Sequence, residues 1–380
     1  MRIGVDARLL SQPVTGIGRY TAELSKALLK EGVELVLYAP APLVVGDWSD
    51  SRVTVRTSHL RGRIPRMLWS QTILPYQASH DRLDIFWGAT HRLPRYLPAR
   101  LPRVVTVHDL VWRFAGETMR PLSRFMEKRL MPEAVSMADR VLAVSKSTAQ
   151  DLESVFPSSR GKVRAVLLGA NSLAAPDELQ TLNTFAIDRP YFLFVGTLEP
   201  RKNLRRLLAG YALLAEGIRK EFQFVIAGGK GWGGVDVPQL LEEFGLDKSE
   251  VRITGYVSDA QLSTLYAYAH FLAMPSLYEG FGFPLIEAMS FGVPVLTSNV
   301  SSLPEVAGDA GLLVDPRDES QIAHGLEQLL CNKALHARLA SNARANARKF
   351  TWKKTAQESL AVFAEAIEVR KFSRSVRQGR

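Results

Sequence analysis

A single cysteine, Cys331, in 380 residues excludes a disulfide framework and a cysteine-rich metal site, and makes a reducing cytoplasm the natural compartment. No run of 18 apolar residues occurs, so no transmembrane helix is expected and any membrane contact would be at the surface. The start, MRIGVDARLL, carries Asp6 and Arg8 inside its apolar stretch and does not read as a signal peptide. Neither an Asp-x-Asp pair nor a His/carboxylate cluster with metal spacing stands in a plausible site, so no divalent metal and no other cofactor is expected. The Gly-x-Gly-x-x-Gly fingerprint is incomplete: Gly16 and Gly18 are present, but Thr21 takes the third place, which argues against a nicotinamide site. Helix-turn-helix, zinc-finger and RNP patterns are also missing, so nucleic acid is not the expected partner.

What is present fits a two-domain globular chain of ordinary composition, 46% hydrophobic and 23% charged. Its net charge of +10 lies entirely in residues 1–170, which hold 25 Lys+Arg against 15 Asp+Glu, while the remainder balances at 23 each. Many of those cations mingle with apolar residues: Arg61, Arg63 and Arg66 with Met67, Leu68 and Trp69, then Arg92, Arg95, Arg100 and Arg103, then Arg113, Arg120, Arg124, Lys128 and Arg129. An anionic surface is the partner this implies, lipid headgroups first; solvated faces without a partner are the alternative.

Short β-branched runs alternate with amphipathic segments, the pattern of βα units and parallel sheets. One series has strand candidates at residues 2–6, 35–38, 53–56, 85–87, 104–107 and 141–144, with a helix from about Gly18. A second restarts at 191–195 and continues through 224–227, 251–253, 271–274, 295–297 and 312–314. Residues 171–188 lack periodicity and read as a linker. Helices are expected over 335–349 and 354–369, broken at 350–352, followed by a basic tail with Phe372 and Val376 that reads as a frayed terminus or a membrane-touching extension.

The most telling segment is SLYEGFGFPLIEAMSFGVPVLTSN, residues 276–299. Gly280 and Gly282 allow a tight turn and close backbone approach, and Pro284 suits the first turn of a helix, so amides and the positive dipole end converge where a phosphate could bind. Glu279 before that helix and Glu287 inside it could accept hydrogen bonds from hydroxyls. An ordinary loop-to-helix junction with two solvated glutamates is the competing reading.

This Glu279/Glu287 element, with GVPVLTSN and LPEVAGDAGLLVDP after it, resembles the donor-site signature of the retaining family 4 glycosyltransferases, which have the GT-B fold. TGIGRYTAEL at 15–24, TVHDL at 106–110, VLAVSKSTAQDL at 141–152, FVGTLEPRKN at 194–203 and VIAGGKGW at 225–232 fall where that family has its motifs, so the resemblance spans nearly the whole chain. It implies an α/β protein of two Rossmann-like doubly wound domains facing a cleft that closes on the substrates. The acceptor-side domain would be 1–180, the nucleotide-sugar domain 181–352, and 353–380 a helix returning to the first domain plus the basic tail.

By that resemblance Arg201 and Lys202 grip the donor diphosphate, Glu279 addresses the transferred sugar and Glu287 the ribose. Gly280, Phe281, Gly282 and Phe283 line the diphosphate and sugar, as do Gly196 and Thr197. Lys230 could approach the phosphates, and Tyr256 and Val257 could support the base, although a core tyrosine fits equally. On the acceptor side stand Gly16, Gly18, Arg19 and Tyr20. His108 lies by the donor sugar, with Asp109 to orient it. Thr197 stands where many members have Arg, which loads the phosphate grip onto Arg201 and Lys202. The form GTLEPRKN looks like that of bacterial O-antigen and exopolysaccharide mannosyltransferases, so GDP-mannose is the expected donor. A lipid-linked oligosaccharide at the inner face of the cytoplasmic membrane is the expected acceptor. UDP- or dTDP-sugar transfer, a nucleotide-sugar 2-epimerase, and a silent sugar-nucleotide or polyanion-binding protein are the alternatives.

Overall fold

A computed structural model describes all residues except Val14, Arg61, Asn171, Ser172, Asp177, Gly379 and Arg380, and leaves undescribed the side chains of Arg63, Ile64, Glu178, Leu179, Arg374, Val376, Arg377 and Gln378. The parts of the expectations resting on Arg61, the Arg63 and Val376 side chains, and Asn171 therefore lie outside the described residues. The chain divides into two units: Met1–Leu110, Phe125–Gly169 and Thr351–Arg380 form one, and Val111–Arg124 with Ala170–Phe350 form the other.

In the first unit seven parallel strands, β1 (Arg2–Asp6), β2 (Glu34–Ala39), β3 (Val53–Thr57), β4 (Ile85–Gly88), β5 (Arg103–Val107), β6 (Arg140–Ala143) and β7 (Val163–Ala165), lie in the order β3-β2-β1-β4-β5-β6-β7. The central strands β4 and β5 are buried along their whole length because both faces are covered, which is why they read as largely hydrophobic runs; β3 at the edge is only partly buried. Three-residue β7 escaped the sequence reading, since Arg164 interrupts so short a run.

The second unit has six parallel strands, β8 (Tyr191–Val195), β9 (Gln223–Ala227), β10 (Val251–Gly255), β11 (Leu272–Met274), β12 (Val295–Ser298) and β13 (Gly311–Val314), in the order β10-β9-β8-β11-β12-β13. Phe192, stacked between Phe224 and Phe271 at 4.4 and 5.2 Å, centres its core. Both sheets reverse strand order once, between β1 and β4 and between β8 and β11. Doubly wound sheets bind ligands at such switch points, outside the carboxyl ends of the strands.

Three features depart from a linear division. Val111–Arg124 leaves the first unit to pack in the second, where Phe114 stacks on Tyr278 at 5.6 Å and the Thr118 carbonyl accepts from Trp232 Nε1 at 2.9 Å. The expected linker contains a helix, Glu178–Thr184. The terminal helix, Trp352–Gln378, runs through the tail that was expected to fray. Within the first unit Glu365 of that helix pairs with Arg140 and Arg164, both at 2.8 Å, Arg370 pairs with Asp139 at 2.8 Å, and Phe363 packs near Trp87. Trp352 fills the space a Cβ on Gly169 would need.

Candidate active site

In the second unit, the turns following the two strands that flank the switch point meet. After β8 the chain passes Gly196 and Thr197 into a single 3-10 turn, Pro200–Lys202, ended by Asn203 in the left-handed conformation at φ 61°. Asparagine tolerates that conformation better than most residues. Its buried amide donates to the carbonyls of Pro275, at 2.9 Å, and Pro316, at 2.7 Å, which fixes where Arg201 and Lys202 emerge. After β11, the Leu277 amide donates to the Arg201 carbonyl at 2.9 Å. Glu279 is thereby brought onto both cations.

Lys202 Nζ lies 2.7 Å from Glu279 Oε1, and Arg201 Nη1 donates to Glu279 Oε2. Arg201 also donates to the Tyr278 carbonyl at 2.9 Å and to Glu199 Oε1 at 2.6 Å. With side chains only 17% and 12% exposed, Arg201 and Lys202 are not a solvated pair. Burial alone would raise the Glu279 carboxyl; the two cations and their hydrogen bonds outweigh it and bring the pKa to about 2, so Glu279 is ionised. Glu199 was missed in the sequence, although its place two residues before Arg201 was a signal.

Gly282, at φ 111°, caps the helix Phe283–Ser290, with Pro284 in its first turn. Glu287 is buried on that helix and accepts from the Tyr266 hydroxyl at 3.0 Å. Neither glutamate is a solvated surface group. Phe281 is an anchor, its ring edge-on to Phe283 and Phe350. Gly280 is buried. Ser302 donates to the carbonyls of Glu279 and Phe281 at 2.9 Å each.

The loop after β9 clasps the Gly196 turn. The Leu198 amide donates to Gly229 at 3.0 Å, and a Cβ on Gly228 would collide with the Gly196 carbonyl oxygen. Lys230 and Thr197 are exposed beside this contact. Tyr256 follows β10 and is 86% exposed, so it is not a core tyrosine; Val257 is half-buried.

In the first unit, Thr15 caps the helix Gly16–Lys30 by accepting from the Gly18 amide at 3.1 Å. Gly16 is exposed and Arg19 half-buried. Tyr20 is buried instead of presented: its hydroxyl shares Thr106 Oγ1 with Trp87 Nε1, at 3.0 and 2.9 Å, and burial pushes its pKa up. Its ring packs edge-on against His108 at 4.7 Å. His108 follows β5, with Nε2 2.9 Å from the Ala89 carbonyl; burial, then His91, lowers its pKa to about 3 and keeps it neutral. Asp109, next to it, is half-buried. His91 and Glu127 beside His108 were not singled out from the sequence. His91 follows β4 just as His108 follows β5, so strand-end logic would have found it.

Several of the cations read as a surface footprint have partners within the chain or are buried. Arg92 pairs with Glu127 at 3.0 Å and Arg95 with Glu133 at 2.5 Å, Arg103 is buried and donates to Leu97, and Trp69 is also buried. Met67, Leu68, Tyr76, Tyr96 and Phe125 remain exposed. Among the described residues no three His, Cys, Asp or Glu side chains gather to hold a metal ion, and no helix is long and apolar enough to cross a membrane.

Residues 178–346 match the model of the glycosyl transferases group 1, and residues 14–171 that of glycosyltransferase family 4. The O-antigen chain mannosyltransferase B of Escherichia coli is 34% identical over 386 positions, covering 96% of this chain and 99% of the relative. Among solved structures, the sucrose-phosphate synthase of Thermosynechococcus elongatus aligns at TM-score 0.72 and 21% identity over 100% of both chains. HepE of Anabaena, in complex with UDP and glucose, aligns at 0.71 and 18% over 96% of this chain and 99% of its own. A turn pair that delivers Arg201 and Lys202 to Glu279, in a chain similar from end to end to a glycosyltransferase, thus belongs to the group 1, family 4 glycosyltransferases of the GT-B fold.

Proposed function

We propose that this enzyme transfers mannose from GDP-mannose, with retention of anomeric configuration, to a hydroxyl of a lipid-linked oligosaccharide in bacterial surface polysaccharide synthesis. The observation that carries the reading is the ionised Glu279 held between Arg201 and Lys202 at the turn before the helix Phe283–Ser290. A carboxylate so fixed accepts hydrogen bonds from sugar hydroxyls at no reorganisation cost, and cations beside a helix N-terminus stabilise charge on a departing diphosphate. The similarity to an O-antigen mannosyltransferase over 96% of this chain favours mannose among hexoses.

In this reading Glu287 holds the ribose, the backbone of residues 280–283 with Gly196 and Thr197 borders the diphosphate and sugar, Lys230 adds charge, and Tyr256 with Val257 supports guanine. The first unit serves the acceptor with Gly16, Gly18, Arg19 and Asp109; Tyr20 contributes by packing against His108, which serves the donor sugar. The leaving phosphate takes the acceptor proton as the new glycosidic bond forms on the same face, so no covalent nucleophile is required. The exposed apolar residues Met67, Leu68, Tyr76 and Tyr96, amid cations, would rest on anionic lipid at the inner membrane face.

A thermal-shift screen of nucleotides and nucleotide sugars tests the donor: GDP and GDP-mannose should raise the unfolding temperature most, and a larger shift with UDP or dTDP ligands overturns mannose. Turnover of donor without acceptor would indicate an epimerase instead. Equal recruitment to neutral and anionic liposomes would remove the membrane element alone.

A further inference from the structure

β4 and β5 are parallel neighbours, so the loops that follow them emerge at the same end of the first unit's sheet. Ala89 and His91 come from one loop and His108 from the other. A carbonyl oxygen can only accept, so the 2.9 Å contact with Ala89 places the His108 ring proton on Nε2 and leaves the lone pair on Nδ1. The His108 backbone amide donates to His91 Nε2 at 3.0 Å. His91 Nε2 must then be unprotonated, and its own proton sits on Nδ1, 3.3 Å from Glu127 Oε2. Arg92 steadies the other oxygen of Glu127 at 3.0 Å. His91 and His108 are both buried, so neither has bulk water as a substitute partner.

We infer that His91, oriented by Glu127, is a positioning residue for His108: neutral, it holds the His108 amide, and on taking a second proton it releases that amide. The inference rests on the reading that His108 serves the transfer reaction. Protonation would put a hydrogen on Nε2 facing the His108 N–H, donor against donor, and the loop carrying His108 would have to move. Glu127, Asp109, Arg92 and His108 are the titratable or charged groups that act on His91. Burial disfavours the imidazolium, but Glu127 and then Asp109 outweigh it and raise the His91 pKa above the ordinary histidine value. His108 is lowered to about 3 while His91 is raised, so the histidine transition met first in this loop on acidification belongs to His91.

Two measurements on the full-length protein test this. Long-range 15N–1H spectra of the imidazoles, recorded from pH 8 to 5 without substrate, should show His91 as the Nδ1–H tautomer and the His108 amide shifting along the His91 titration. Glu127→Gln should move that midpoint to lower pH, because the charge favouring imidazolium is gone. His91→Gln keeps an acceptor for the amide but cannot titrate, so the transition should vanish. In GDP release from GDP-mannose with lipid-linked oligosaccharide, the acid limb of kcat/KM should move down by half a pH unit or more in Glu127→Gln and flatten in His91→Gln. His91→Phe, which has no acceptor, should lose kcat tenfold or more at unchanged donor KM. A wild type without an acid limb, or a His91→Gln protein that retains it, overturns the inference. A fully active His108→Ala protein instead removes the reading beneath it, whereas an inactive His108→Ala with silent His91 variants defeats the inference alone.

Discussion

The backbone amide of Glu279 donates to the hydroxyl of Ser301 across 3.1 Å, and Ser301 adopts a left-handed backbone, φ 54°, where it receives that bond. A left-handed L-residue costs about 1–2 kcal/mol, so the surrounding fold sustains strain beside the carboxylate proposed to meet the donor sugar. Ser301→Gly relieves the strain and deletes the bond; unfolding temperature should change little while turnover falls about five- to tenfold, the value of one hydrogen bond. Ser301→Asn tolerates the conformation and offers an oxygen, so it should retain more activity than Ser301→Ala, which keeps the strain without the bond. Thermal unfolding beside steady-state kinetics checks that order.

The two glutamates should separate kinetically. Glu279→Gln withdraws the carboxylate shared by Arg201 and Lys202, and breaking a buried ion network from one side costs about 3–5 kcal/mol. Turnover should fall at least a hundredfold, with a lowered unfolding temperature. Glu287→Gln leaves the network intact and should weaken GDP binding by roughly tenfold to a hundredfold, the range of a charge-assisted hydrogen bond. Calorimetric titration with GDP distinguishes the two.

Acid stability has a defined window. Glu279 titrates near 4.5 when unfolded and at about 2 when folded, so its stabilisation is complete above pH 4.5 and lost as pH falls towards 2. That difference corresponds to about 3 kcal/mol. Glu127 is lowered to about 2 as well, against burial, by His91 and Arg92. Urea unfolding midpoints should therefore drop steeply between pH 4.5 and 2 in the wild type and less steeply in Glu279→Gln.

Gly228 should resist substitution for a reason of space. A methyl there meets the carbonyl oxygen of Gly196, a backbone atom that cannot rotate away. Gly228→Ala should force the loop after β9 off the Gly196 turn, lower the unfolding temperature and abolish donor binding, whereas Gly229→Ala, with open space at its Cβ, should leave stability nearly unchanged. Differential scanning fluorimetry with and without GDP measures both effects.

The strands were legible because buried parallel strands leave runs of apolar or β-branched residues: Tyr191 to Val195 and Val104 to Val107 could be read directly, while Val163–Ala165, broken by Arg164, could not. The pairing of Arg201 and Lys202 with Glu279 was legible as a set of motifs but not as contacts. Seventy-seven or more residues separate the partners, and only the adjacency of β8 and β11 joins them. Tyr20 shows the limit: position in a motif did not reveal that its hydroxyl turns inward to Thr106. The excursion of Val111–Arg124 left no signal because its anchors, Phe114 on Tyr278 and Trp232 on Thr118, are ordinary residues until their partners are known.

That excursion constrains how the molecule can be recombined. The chain passes from one unit to the other after Leu110, Arg124, Gly169 and Phe350. A chimera spliced once near residue 170 would carry a foreign 111–124 arm against Tyr278 and Trp232, and a foreign terminal helix against Arg140 and Arg164. Exchange of donor preference between relatives should therefore succeed only when the arm travels with residues 170–350 and the terminal helix stays with its own sheet.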